Sequence, residues 1–212
     1  MNTVASSEWL VTSGRSRFAS CAQRTLHPRH SPLATESMQD ILAKAARVKL
    51  VVFDVDGVLT DGSLFLSDEG VEYKAFNSRD GHGMKMLMQH TPVEIAIITG
   101  RTSGVVRHRM ASLGIEHVYQ GQLDKLPAFQ ALIAKLKLSP AQVAYVGDDV
   151  VDLPILSRVG LAIAVQDAHP LVKKHAHWQT PNAGGRGAAR DVCELMMEAH
   201  GVLEAQLQTY LT

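Results

Sequence analysis

The chain has 212 residues, 46% of them hydrophobic, with 21 Lys plus Arg balanced by 21 Asp plus Glu. Neutrality removes the basic field that a dedicated nucleic-acid binder presents, and the apolar fraction belongs to a chain that buries a core. No apolar run approaches the roughly 20 residues that a membrane-spanning helix needs, so no membrane partner is expected either.

The first 37 residues stand apart. They hold no Lys and no Asp, set Arg15, Arg17, Arg24 and Arg29 against Glu8 and Glu36, and include seven serines. Organelle transit peptides and disordered leaders share this composition. Met38 directly precedes an amphipathic helical stretch, Gln39 to Ala46, so residues 1–37 read as a disordered extension or a misplaced start, and residues 38–212 as one domain. The two cysteines, Cys21 and Cys193, form no CxxC pair or disulfide framework, which suits a reducing compartment and predicts a cytoplasmic protein.

From Leu50 onward, short branched apolar runs alternate with helical patterns, the signature of an α/β fold: a Rossmann-like parallel sheet with helices on both faces. Strands are predicted at 50–53, 93–98, 116–119, 143–146 and 161–165. Helices are predicted at about 82–90, 103–113, 124–137, 150–158 and 187–200, with Gly114 and Ser139-Pro140 as stops. Between the first strand and the first helix, Leu64 to Leu66, Asp68-Glu69-Gly70 and Val71 to Phe76 read as a β-hairpin. Met84, Leu87 and Met88 fall at helical spacing and are expected in the core.

Three of these strands end in polar clusters: Asp54-Val55-Asp56-Gly57, Thr99-Gly100-Arg101 and Gly147-Asp148-Asp149. Ligands of open α/β sheets bind outside the carboxyl ends of the strands, so clusters far apart in sequence should converge on one site. Asp54 and Asp56, two apart at a strand end, are expected to point the same way. Several carboxylates in one crevice repel each other unless a cation neutralises them, and a hard oxygen-seeking ion, Mg²⁺, is the natural candidate. Thr99, the amides of Gly100 and Arg101, and Lys125 add donors and positive charge, which together describe a phosphate site.

At this point the sequence resembles the haloacid dehalogenase superfamily. Its hhhhDxDG motif matches Val51 to Val58, its hhhT motif Ile97 to Gly100, its lone lysine Lys125, and its GDxxxD motif Gly147 to Asp152, in the right order. The resemblance implies that Asp54 attacks phosphorus, and that Asp56 protonates the leaving alkoxide and later activates water. It further implies that Asp54, the Asp56 carbonyl and Asp148 hold Mg²⁺ with Asp149 or Asp152 orienting them, and that Thr99 and Lys125 bind the phosphoryl oxygens. The acid at position 56 favours a phosphatase over a dehalogenase.

Asp56 and Ile98 stand only 42 positions apart, too few for a large cap domain, so the resemblance implies a capless phosphatase domain at 38–212. A finer resemblance is to the capless subgroup acting on 3-deoxy-D-manno-octulosonate 8-phosphate on the route to lipopolysaccharide, through DVDGVLTDG (54–62), FNSRDGHG (76–83) and GGRGAAR (184–190). Where that subgroup often has Tyr, this chain has His82. The subgroup implies a homotetramer whose hairpins cover neighbouring sites, with Arg79, Asp80 and Gly81 bordering the site and Arg186 closing over a phosphorylated sugar acid. A phosphatase of nine-carbon sugar acid 9-phosphates shares nearly every motif, and a non-catalytic phosphosugar-binding module is the alternative from another class.

Overall fold

The computed structural model describes residues 36–211. Of the predicted 1–37 extension only Glu36 and Ser37 are among them, and Cys21 lies outside. Ser37 caps helix α1 (Met38–Ala45): its hydroxyl accepts the Asp40 N–H, and the Asp40 carboxylate accepts the Ser37 N–H, a reciprocal pairing that satisfies two otherwise orphaned donors. Strand β1 (Leu50–Phe53) leads into a short hairpin of β2 (Phe65–Leu66) and β3 (Glu72–Tyr73). There follow α2 (Ser78–His90), β4 (Glu94–Ile98), α3 (Gly104–Leu113), β5 (His117–Tyr119), α4 (Leu126–Leu136), β6 (Val143–Gly147) and α5 (Leu153–Leu156). The chain continues through β7 (Leu161–Ala164), α6 (Pro170–His175), β8 (Trp178–Gln179), α7 (Ala188–Ala199) and α8 (Leu203–Gln208).

Six strands form one parallel sheet in the order β5-β4-β1-β6-β7-β8, and β2-β3 stands apart as an antiparallel ribbon. Every residue of β1, β6 and β7 is buried, as parallel strands covered on both faces must be, which is why these runs are continuously apolar. Helices α1, α2 and α7 pack together as one group, and α4, α5 and α6 as another. Met84 and Leu87 are buried as expected, Met88 is partly buried, and Cys193 is fully buried in α7.

The predicted 150–158 helix takes a different form. Residues Val150–Asp152 make a 3₁₀ turn capped by the Asp149 carboxylate, and α5 covers only Leu153–Leu156. Pro154 lacks an N–H to bond the carbonyl four residues back, so the segment divides at this point. Helix α6, the edge strand β8 and helix α8 were not anticipated. Among the described residues no helix is long and apolar enough to cross a membrane.

What the topology does for function follows from the position of β1. It lies between β4 and β6, so the segments after Phe53, Ile98 and Gly147 leave the sheet side by side.

Candidate active site

A cleft of about 210 Å³ opens at those strand ends and is lined by Asp54, Asp56, Thr99, Gly100, Arg101, Lys125, Asp148 and Asp149, together with Gln122, Leu123 and Val151. The sequence clusters therefore converge, but Asp54 and Asp56 do not reach the cleft by strand alternation. Strand β1 ends at Phe53; the Asp54 N–H still donates to the Val146 carbonyl (3.1 Å), and the chain then turns. The turn depends on Gly57, whose φ is +87° and whose missing Cβ would sit 2.1 Å from Asp148 Oδ2. No other residue adopts that backbone and also admits the Asp148 carboxylate.

Lys125 is the centre of the charge arrangement. Only 3% exposed, it sits immediately before α4, with Nζ 2.7 Å from Asp54 Oδ2 and 2.7 Å from Asp152 Oδ1. A lysine at a helix N-terminus opposes the helix dipole, so its place is set by these two carboxylates rather than by helix stability. Asp54 Oδ1 accepts the Val55 N–H (2.6 Å), which fixes the rest of that carboxylate.

Asp152, wholly buried, uses both oxygens. Oδ1 accepts from Lys125 and from the Tyr145 hydroxyl (2.7 Å each), and Oδ2 from the amides of Asp148 (3.0 Å) and Asp149 (3.3 Å). It thus holds Lys125 and the Asp148–Asp149 turn in one place. Asp149 Oδ1 accepts the Val150 N–H (2.7 Å), and Thr99 is buried at the end of β4, its N–H donating to the Tyr119 carbonyl (3.0 Å).

Asp54, Asp148 and Asp152 each offer a carboxylate oxygen within 4.8 Å of the others. With Asp152 saturated by four donors, Asp54 and Asp148 remain to bind a cation, and Asp148 Oδ1 is buried without a hydrogen-bond partner. Burial, and then the charges of Asp152 and Asp54, push Asp148 up to about 8; burial, partly offset by Lys125, pushes Asp54 up to about 6. Against the lowering effect of burial, Asp54 and Asp152 raise Lys125. The crevice is short of positive charge, and a hard divalent cation with oxygen ligands fits both the deficit and the donor set.

The two remaining predicted arginines are not brought into the cleft. Arg79, in the first turn of α2, donates to the backbone carbonyl of Arg186 (3.4 Å), and Arg186 pairs with Asp61 (2.9 Å) on the loop that follows β1. The Gly184–Gly187 segment packs tightly there: a Cβ at Gly184 would lie 1.8 Å from the Gly57 carbonyl oxygen. Asp80 and Gly81 do not line the cleft either, and Asp80 Oδ1 instead accepts the Arg190 N–H (2.9 Å) in the first turn of α7. His82, in the position noted for Tyr, is hydrogen-bonded to the Tyr210 hydroxyl (3.0 Å).

Sequence reasoning missed the contribution of the hairpin to this chain's own site. Lys74, just after β3, has a side chain 1% exposed and pairs with Asp56 Oδ1 and with Glu72 (3.4 Å). Arg101 bonds Glu72 (3.1 Å) and lies 3.8 Å from Asp56 Oδ2. A signal was present: Val71, Tyr73 and Ala75 alternate with Glu72 and Lys74, and here the charged face turns inward while the apolar one is exposed. Tyr145 gave no signal, since a Tyr in a buried strand is ordinarily core.

The model of the haloacid dehalogenase-like hydrolase family matches residues 109–190. The chain is 50% identical over 165 residues to the 3-deoxy-D-manno-octulosonate 8-phosphate phosphatase of Escherichia coli K12, covering 78% of this chain and 87% of that one. It resembles the crystal structure of a probable YrbI family phosphatase from Pseudomonas syringae at 50% identity, with a TM-score of 0.80 over 82% of this chain and 98% of the other. It also resembles the 3-deoxy-D-manno-octulosonate 8-phosphate phosphatase of Moraxella catarrhalis, solved with magnesium, phosphate and the free sugar acid. That match has 40% identity and a TM-score of 0.80 over 82% of this chain and 99% of the other.

Proposed function

The chain belongs to the haloacid dehalogenase-like hydrolases as a phosphoric monoester hydrolase, and from that premise we propose that it hydrolyses 3-deoxy-D-manno-octulosonate 8-phosphate to the free sugar acid and inorganic phosphate. The place of this step is lipopolysaccharide precursor synthesis in the cytoplasm. The observation that carries the substrate assignment is the near full-length likeness to the Moraxella catarrhalis phosphatase that holds this sugar acid.

In this reading Asp54 attacks phosphorus and Asp56, as a carboxylic acid, gives its proton to the leaving alkoxide as the P–O bond breaks. Water then attacks the aspartyl phosphate and loses a proton to the Asp56 carboxylate, which frees phosphate and restores Asp54. Dividing the displacement in two is what covalent catalysis offers. Lys125 and Thr99, with the amides of Gly100 and Arg101, bind the phosphoryl oxygens, and Lys125 offsets the repulsion between a carboxylate nucleophile and a dianionic ester. Mg²⁺ would be held by Asp54, Asp148 and the Asp56 carbonyl, and when bound it supplies the positive charge that the carboxylates and the phosphoryl group both require. Asp149 and Asp152 orient these ligands. Arg79, in the first turn of α2, and Arg186, paired with Asp61 from the segment before α7, are assigned to the sugar acid at the cleft's margin.

The active form is a homo-oligomer, a tetramer, in which hairpins cover neighbouring sites. The supporting observation is the exposed apolar surface of the hairpin: Phe65 and Tyr73, partners across the two strands, and Leu66 and Val71 beside them are each at least half exposed.

Phosphate release measured across sugar phosphates, with and without Mg²⁺, tests the reading. We expect Mg²⁺-dependent turnover highest on the octulosonate 8-phosphate, and Asp54→Asn to abolish release while leaving the circular dichroism spectrum intact. A higher kcat/KM on a nine-carbon sugar acid 9-phosphate would move the assignment to that class. A wild type inactive on every ester would leave a non-catalytic binding module. An active monomer in light scattering would refute the shared hairpins.

A further inference from the structure

The hairpin places a buried ammonium against the residue that the proposed reaction uses twice. Lys74 lies on a ribbon whose apolar side chains are exposed, yet its own side chain is almost completely covered. It reaches Asp56 Oδ1, the arrangement is completed by Glu72 and Arg101, and two acids balance two bases. Asp56 Oδ2, by contrast, is buried with no hydrogen-bond partner. A buried carboxylate oxygen without a donor costs free energy, and one that must hand a proton to a substrate oxygen has to be left without a competing donor.

We propose that Lys74 is a positioning residue: it pins Asp56 Oδ1 so that Oδ2 alone faces the ester oxygen, to give up its proton as the alkoxide leaves and to take one from the attacking water. The inference rests on the reading of Asp56 as the proton donor and acceptor. Glu72 and Arg101 keep the lysine from being stranded, because Glu72 neutralises it and Arg101 holds Glu72. The hairpin thereby acts on the chemistry of its own chain, in addition to any cover it gives a neighbour.

Kinetics of Lys74→Met and Lys74→Arg, with Asp56→Asn as reference, test this on two substrates. The octulosonate 8-phosphate leaves as an alkoxide and needs a proton. In 4-nitrophenyl phosphate the leaving phenolate is stable without one, and single-turnover release with enzyme in excess reports phosphorylation of Asp54 alone. For Lys74→Met we expect kcat on the sugar phosphate to fall roughly 10- to 100-fold, within the range that general acid–base catalysis supplies. KM should stay within about threefold, nitrophenolate should appear at close to the wild-type rate and amplitude, and Lys74→Arg should recover part of kcat. With enzyme in excess the substrate sets the amplitude, so a misfolded variant is recognised by its circular dichroism spectrum, and Lys74→Arg then carries the comparison.

An unchanged kcat, a rise in KM alone, or an equal loss on both substrates would overturn the proposal, the second by making Lys74 a substrate-binding group. A wild type that releases no phosphate, or an Asp56→Asn variant with normal turnover, would instead overturn the reading on which it rests.

Discussion

Asp152→Asn isolates the residue that holds the candidate site together. Asn has the shape of Asp but carries no charge, and only its oxygen accepts. The native carboxylate receives four donors, from Lys125, Tyr145 and the amides of Asp148 and Asp149. The best arrangement for Asn keeps its oxygen on the two amides and turns its NH₂ towards Tyr145, whose hydroxyl can rotate to accept. Lys125 then faces a donor. Hydrogen bonds to charged groups contribute about 1.5–3 kcal/mol each, and removing one partner of a buried pair costs about 3–5 kcal/mol. Lys125 retains Asp54 and the loss of Asp152 relieves repulsion on Asp54 and Asp148, so the cost falls where these two ranges meet, about 2–4 kcal/mol.

Urea unfolding followed by circular dichroism at constant, saturating Mg²⁺ measures this, and an unchanged slope with urea would show that the same surface is exposed in both proteins. Turnover should fall as well, because Lys125 and the turn bearing Asp148 lose a common anchor. A destabilisation within about 0.5 kcal/mol, the scatter of an ordinary surface substitution, would refute the claim that Asp152 organises the site.

Gly57→Ala should weaken Mg²⁺ binding at least about tenfold by calorimetry, because the new Cβ meets the Asp148 carboxylate at 2.1 Å in a backbone of φ +87° that disfavours Ala; unchanged affinity would show that the turn can open without cost. Stripped of divalent cations, the protein should be less stable at pH 9 than at pH 7. Asp148 is raised from 3.8 to about 8, so the folded state binds more protons than the unfolded one across this interval, and the stability present at low pH is lost as pH rises through about 8. His177, lowered by burial, has its opposing window below 6.5 and does not interfere. A melting temperature that rises between pH 7 and 9 without metal, or one whose fall saturating Mg²⁺ leaves unchanged, would contradict the charge deficit.

Much of this arrangement was legible because parallel sheets write themselves plainly into sequence. The runs Leu50–Phe53 and Val143–Gly147 are buried on both faces, hence continuously apolar, and the polar residues after them mark where the chain leaves the core. The convergence of Asp54, Thr99 and Asp148 followed from their places at the carboxyl ends of strands. What did not follow was anything decided by a turn or by a side chain reaching across. Asp54 and Asp56 meet the cleft through the Gly57 turn rather than by strand alternation, and the four bonds to Asp152 come from Lys125 and from the end of β6, Tyr145 to Asp149. Two-residue strands such as β8 have too little period to detect.

The hairpin brings these lessons together. Its two runs and the turn at Gly70 predicted a hairpin, but that does not say which face turns inward, and the usual expectation sends charges to water. Here Glu72 and Lys74 turn inward because the cleft beneath them offers each an opposite charge, Asp56 for Lys74 and Arg101 for Glu72, while Phe65 and Tyr73 are left exposed. The cost is an apolar outer face, which a second copy of the chain would remove from water. Inward charge and outward hydrophobicity are thus two consequences of one strand register, and a one-residue slip would reverse both.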